Sequence, residues 1–283
     1  MAKTTAELMM EAQTLVSYGA VRDRILDDAV PDMSWQMSRE EFLFRGIGDH
    51  LFYYRRGKGI TVHRGRDADA ALESLWLNGT VYAAIASMNG LLPIHASAVA
   101  AGDSVFAFSG PTGSGKSTIV AALGNRGLRL FCDDTLVLDL SDPDRIMCLP
   151  GHKRLKLTSE ALDLAAVTPQ ERVSPELDKF YAVPASGEVG VAMALAELIF
   201  LEEGPHPSIT PLSGSERLMR FQDDHYTAQL FATARQFDRA GMFAHLSNMA
   251  QRIKMSRFVR PMDRARFNES VEIAARHVEN DAN

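Results

Sequence analysis

The chain has 283 residues, enough for one large domain or two small ones around a real hydrophobic core. Its 46% hydrophobic and 23% charged content is typical of globular proteins, and 20 Gly with 12 Pro are too few for a low-complexity or collagen-like chain. Thirty Lys and Arg against 36 Asp and Glu leave a formal net charge of -6, so no chain-wide field draws in nucleic acid or an anionic membrane.

Residues 1–35 read as helical, with Leu8, Ala12, Leu15 and Val16 at helical spacing and Gly19 and Pro31 as punctuation. The expectation is a helical arm over residues 1–40. Glu7 and Glu11 stand where a secretion signal needs a basic start, which points to a cytoplasmic protein. Three strand-like runs follow at 42–45, 51–55 and 60–63, separated by Gly46, Gly48, Gly57 and Gly59. Two helical patterns come next, at 68–77 and 81–88, so 41–91 is expected to form a small β meander with helices packed on a core. The most apolar stretch, 81–101, is interrupted by Asn89, Gly90, Pro93 and His95 and predicts no membrane span.

From residue 92 to 283 the pattern is that of an α/β core with a helical tail. Strands are expected at 94–99 and 105–108, a helix at 117–126, strands at 128–132 and 135–140, and a central strand at 191–201. Helices near 214–221, 226–237 and 243–252 precede a last strand at 253–260. Cys132 and Cys148 have no CxxC spacing and read as ordinary reduced thiols.

Gly110, Pro111, Thr112, Gly113, Ser114, Gly115, Lys116 and Ser117 complete the eight-position P-loop pattern, followed by Thr118. The glycines let backbone N–H groups turn around a phosphate, the helix start adds its dipole, Lys116 reaches the outer phosphates and Ser117 can ligate magnesium. A buried strand enters the loop and an amphipathic helix leaves it, which is the context the motif requires. The helix after Ser117 runs about 16 Å away at ~1.5 Å per residue. The following strand returns about as far at ~3.3 Å per residue. Asp133 and Asp134 are therefore expected level with the loop, where one carboxylate can order magnesium. Being adjacent, the two cannot do the same job.

His95-Ala96-Ser97-Ala98-Val99, the P-loop segment 106–118, and 127–134 ending in Asp133-Asp134 resemble the catalytic core of HPr kinase/phosphorylase. They are similar also to the shorter HPr-kinase-like serine kinases found beside lasso peptide biosynthetic genes. Pro150-Gly151-His152-Lys153-Arg154-Leu155-Lys156-Leu157 matches a segment that follows the aspartates in those relatives, and Asp178-Lys179 follows further on. The resemblance covers roughly residues 40–275.

It implies an ATP- and Mg²⁺-dependent kinase acting on a serine or threonine hydroxyl, on a P-loop fold of the HPr-kinase/PEP-carboxykinase type. Residues 110–118 would hold the nucleotide, Ser117 and Asp134 the magnesium, and Asp133 would act as general base. His95 would lie near the catalytic centre, and Arg154, Lys156 and Lys179 near the substrate. The separate N-terminal domain and the Leu-Glu-Ile-Arg-Gly-Leu-Gly-type signature of the full-length HPr enzymes are not found, so the expected acceptor is a peptide, such as a precursor C-terminus, before HPr or a small alcohol. Homo-oligomerisation is left open.

A competing class is a P-loop switch or motor. Leu212-Ser213-Gly214-Ser215-Glu216 looks like a transporter-ATPase signature, but the apolar strand ending in Asp-Glu that should follow is missing. The Asn-Lys-x-Asp clamp of GTPases is absent as well. The basic run Arg252, Lys254, Arg257, Arg260, Arg264 and Arg266 reads first as a solvated face, since no aromatic interleaving suggests nucleic acid.

Overall fold

A computed structural model describes residues 2–25, 30–31, 34–66, 69–173, 178–182, 186–220, 225–236, 247 and 249–282. The protein is mixed α/β. Its internal contacts divide it into two compact units, Met1–Pro93 with Asp224–His245, and Ile94–Asp223 with Leu246–Asn283.

In the first unit, α1 (Thr5–Gln13) is stopped and started by its sequence. The Thr4 hydroxyl accepts from Glu7 N–H at 3.2 Å while the Glu7 carboxylate accepts from Thr4 N–H at 2.6 Å, a reciprocal cap. The helical arm expected over residues 1–40 is confined to this one element. β1 (Val16–Tyr18), β2 (Val30–Pro31) and β3 (Trp35–Met37) instead join a six-stranded sheet with β4 (Glu41–Arg45), β5 (Leu51–Arg55) and β6 (Gly59–His63), in the order β1-β6-β5-β4-β3-β2.

The register supplies the reason. Gly59, at φ +78°, lets its backbone approach so closely that a Cβ there would lie 2.6 Å from the Leu15 carbonyl. Ile60 N–H then donates to that carbonyl at 2.8 Å, and β1 zips on in parallel. A three-residue strand docked on a distant partner leaves no periodicity to read. The expected meander is present as β4, β5 and β6. α2 (Ala70–Trp76) continues through a π turn, Leu77–Val81, into α3 (Tyr82–Met88), and the seventh helix in chain order, α7 (Tyr226–Arg235), packs on α3.

The second unit is built on β7 (Leu92–Ala101), β8 (Ser104–Ser109), β9 (Arg129–Cys132), β10 (Thr135–Asp139), β11 (Met147–Leu149), β14 (Met193–Glu203), β15 (Ser208–Pro211) and β16 (Met255–Arg260). The order is β11-β10-β7-β8-β14-β16-β15, with β9 also paired to β7. The run expected at 191–201 is β14, which lies between β8 and β16 and is parallel to both. β7 is antiparallel to β8 and to β9. It follows that β8, β9, β14 and β16 all run the same way and end at one edge of the sheet, where β7 begins. Open α/β sheets bind ligands at that edge.

The helices of this unit are α4 (Lys116–Gly124), α5 (Ser159–Ala165), α6 (Ser215–Met219) and α8 (Phe267–Ala282), and β12 (Leu155–Leu157) pairs with β13 (Phe180–Ala182). α4 and α8 bury Ile119, Leu123, Val271 and Val278 with Phe106 and Phe108 of the sheet. Each such side chain contributes roughly 1.5–3 kcal/mol by leaving water. Of the helix expected at 243–252, residues 243–246 and 248 lie outside the described residues, as does residue 237 of the one expected at 226–237 and residue 221 of the one near 214–221.

Among the described residues of the first unit, Glu7 and Glu73 are buried carboxylates, and Glu73 is the one that gathers charged partners. Glu73, 4% exposed, accepts from Arg64 Nε at 2.7 Å and Nη2 at 2.8 Å, from the Tyr18 hydroxyl at 2.9 Å, and contacts His50 Nε2 at 3.0 Å. Arg64, helped by Tyr18 and His50, holds the carboxyl down to about 2 against the opposing effect of burial. A carboxyl that titrates lower in the folded than in the unfolded chain stabilises above the unfolded value and stops doing so as pH falls through the folded one. Acid titration from about pH 4.5 to 2 should therefore weaken this unit by on the order of 1–3 kcal/mol, and Glu73→Gln should flatten that slope. Circular dichroism melts across the window check it; an unchanged slope in Glu73→Gln rules the carboxylate out.

Candidate functional site

The loop between β8 and α4 has the conformation its glycines permit. Gly110, Gly113 and Gly115 take φ +145°, +85° and +85°, and Gly115 opens α4. Pro111, Thr112 and Gly113 are exposed at the tip, while Ser114, Gly115, Ser117 and Thr118 are half-buried. Lys116 is 6% exposed and its ammonium donates to the Gly110 carbonyl at 2.8 Å and the Pro111 carbonyl at 3.0 Å, across the concavity. Positive charge, a helix start and inward-turning backbone together suit an anion.

Asp133 and Asp134 leave β9 at the same edge. Thr135 N–H donates to the Asp133 carbonyl at 2.8 Å, and Asp134 between them takes φ +71°, a γ-turn of the rare, strained kind. The turn sends the two carboxylates apart. Asp133 is 2% exposed; its Oδ1 accepts from Ser117 Oγ at 2.7 Å and Ser97 Oγ at 2.6 Å, and its Oδ2 from Lys156 N–H at 2.9 Å. Asp134, with its side chain 32% exposed, pairs with the Lys156 ammonium at 3.1 Å. A ring nitrogen of His95 lies within 4.8 Å of its carboxylate.

The expected roles give magnesium to Ser117 with Asp134 and the general base to Asp133; the structure joins Ser117 to Asp133, whose buried carboxylate accepts three hydrogen bonds. Asp134 is the accessible member.

The basic segment after the aspartates is mostly engaged in the fold. Gly151 packs so tightly that a Cβ would lie 2.7 Å from Cys132 Cβ and 3.1 Å from the Thr135 carbonyl. Lys153 donates to the Phe131 carbonyl, and burial pushes its ammonium down. Arg154 pairs with Glu171 at 2.5 Å and lies 3.9 Å over the Tyr181 ring. Lys179 is exposed, and among the described residues no hydrogen bond or ion pair ties it to the aspartates. Of the three expected substrate residues, Lys156 alone is brought to the pair.

Two residues of this edge escaped the sequence. Ser97 stands two places after His95 on β7, on the same face, and donates to Asp133; the two-residue alternation was the signal. Arg260 was counted in a basic face that does not exist as such. Arg252 donates to the carbonyls of Leu140, Asp142 and Arg145, Lys254 pairs with Glu197 and Asp281, Arg257 with Glu202 and Glu216, Arg264 with Asp163 and Arg266 with Glu269. Arg260 ends β16 beside the loop, 5% exposed, and donates to the Ser114 carbonyl.

No protein-family model matches the sequence, and no curated protein matches it. Among solved structures, the chain is similar to the HPr(Ser) kinase/phosphatase from Coxiella burnetii, at 12% identity and a TM-score of 0.36, over 65% of this chain and 95% of that one. What the site does has to be read from its own side chains.

Proposed function

We propose that the chain is an ATP- and Mg²⁺-dependent kinase that transfers a phosphoryl group to a serine or threonine hydroxyl. The observation that carries this reading is the bond between Asp133 and Ser117 behind a complete P-loop. A loop hydroxyl backed by a carboxylate from the end of another strand of the sheet is the donor set that holds magnesium in P-loop enzymes. Lys116 and the loop N–H groups fit a polyphosphate. Bound magnesium neutralises charge on the outer phosphates during transfer.

The chain's own residues then divide the work. Asp133 fixes the Ser117 hydroxyl, with Ser97 on the same oxygen and the Lys156 N–H on the other, so the loop hydroxyl is preset for the metal. Lys116 exchanges its two carbonyl partners for phosphate oxygens. Asp134 orients the acceptor hydroxyl and takes its proton late in transfer, since a serine hydroxyl is too weak an acid to ionise beforehand. Lys156 pairs with Asp134 at 3.1 Å, and a ring nitrogen of His95 lies close enough to help orient it. An acceptor on a peptide, such as a ribosomal precursor's C-terminal residue, rests on the sequence resemblance and on Lys156, whose ammonium suits a terminal carboxylate or phosphate. The alternatives are an HPr-type protein and a small alcohol.

Lys116→Ala should abolish release of radiolabelled γ-phosphate to any acceptor, water included; wild-type-like turnover would remove the P-loop from the chemistry. Asp133→Asn should weaken Mg·ATP binding, with partial recovery at high Mg²⁺. Asp134→Asn should bind Mg·ATP within about threefold of wild type yet transfer ~10²–10⁴ more slowly, the usual contribution of a general base. Calorimetric titration with Mg·ATP and single-turnover transfer to serine-terminated peptides decide between the roles. A magnesium defect confined to Asp134→Asn reverses them.

A further inference from the structure

Arg260 is a buried cation without an anion. It is 5% exposed, burial pushes its guanidinium below the ordinary value, and no carboxylate among the described residues pairs with it. Its Nη2 donates to the Ser114 carbonyl and its Nη1 reaches the Pro261 carbonyl at 3.4 Å, but Nε has no partner. The neighbouring Ser114 Oγ is likewise buried with none. An isolated buried charge costs several kcal/mol unless it is compensated, and carbonyl dipoles compensate only in part. Such a residue suits a ligand that supplies the negative charge.

Place and packing say which ligand. Arg260 ends β16, at the edge where β8 delivers the P-loop. Its Nη2 occupies the space that a Cβ on residue 115 would fill, so the glycine opening α4 admits the guanidinium as well as the left-handed turn. A cleft starts there, lined by Gly113, Gly115, Thr118, Arg260, Leu164 and Phe267 among others. The loop backbone cradles the α- and β-phosphates of a nucleotide while Lys116 and Ser117 serve the outer end. A cleft leaving the loop away from Lys116 is where the nucleoside must exit, so the phosphate at its mouth is the α-phosphate.

We propose that Arg260 binds the α-phosphate of the nucleotide and that the cleft beside it seats the nucleoside. This rests on the reading of the loop as a nucleotide site. On binding, the guanidinium turns from the Ser114 carbonyl to a phosphate oxygen, a stronger charge-assisted partner.

The test is calorimetric titration of the full chain with Mg·ATP and with each diastereomer of its α-thio analogue, using wild type, Arg260→Gln, Arg260→Lys and Lys116→Ala. Wild type should prefer one α-thio isomer by at least about threefold, the size of a direct coupling. Arg260→Gln should bind ATP roughly 10- to 100-fold more weakly, the range for charge-assisted contacts, and lose the preference. Should Arg260→Gln fail to fold by circular dichroism, Arg260→Lys carries the same comparison: charge retained, preference lost.

A variant with weaker binding but an unchanged isomer preference would make Arg260 a brace for the loop and overturn the proposal. So would unchanged ATP affinity, or no isomer preference in wild type. Lys116→Ala binding Mg·ATP as wild type does would instead defeat the nucleotide reading itself, whatever Arg260 does.

Discussion

The edge of the second unit's sheet depends on one carboxylate that three other chain segments hold. Asp133 at the end of β9 is held by Ser117 from the start of α4, by Ser97 from β7 and by the Lys156 backbone from β12. β8 and β9 are not neighbours, because antiparallel β7 runs between them. The loop and the aspartates are therefore about two strand spacings apart, roughly 10 Å at ~4.8 Å each. Ser97, on the intervening strand, is the hydroxyl that fills that gap. A buried carboxylate tolerates this position only when its oxygens are hydrogen-bonded, and here those bonds fix the mutual placement of the parts.

The γ-turn at Asp134 extends the same constraint outward. It lets consecutive residues serve opposite environments, one sealed and one partly open to solvent. Lys156 joins the two sides, giving its N–H to Asp133 and its ammonium to Asp134. The cost is a non-glycine residue at positive φ, held there by the Gly151 segment that packs over Cys132 and Thr135.

What the sequence made legible follows from the range of the interactions concerned. The P-loop, its entering strand and its leaving helix are local, and their glycines and periodicity stand in a single run of residues. The position of the aspartates followed from helix and strand rise alone. Which aspartate faces Ser117 did not, because that depends on a φ angle at one residue. β1 and β3 were missed because each is three residues long, too short to show a period, and β1 also owes its existence to β6, far along the chain. Arg154 was expected near the substrate, yet the Glu171 carboxylate and the Tyr181 ring, both distant along the chain, engage it. Arg260 was hidden for the converse reason: its neighbours in the run all find acidic or carbonyl partners, and only the register of β16 sets it apart.

The first unit is assembled from two stretches of chain, with α7 returning to pack on α3 after the chain has already passed through β7 to β15. Leu230 and Phe231 of that helix are buried. Severing the chain after residue 93 would accordingly not yield a clean second unit. It would leave an apolar helix face with no cover in the middle of the remaining polypeptide, and any attempt to isolate the second unit must also replace 224–245 with a polar connection.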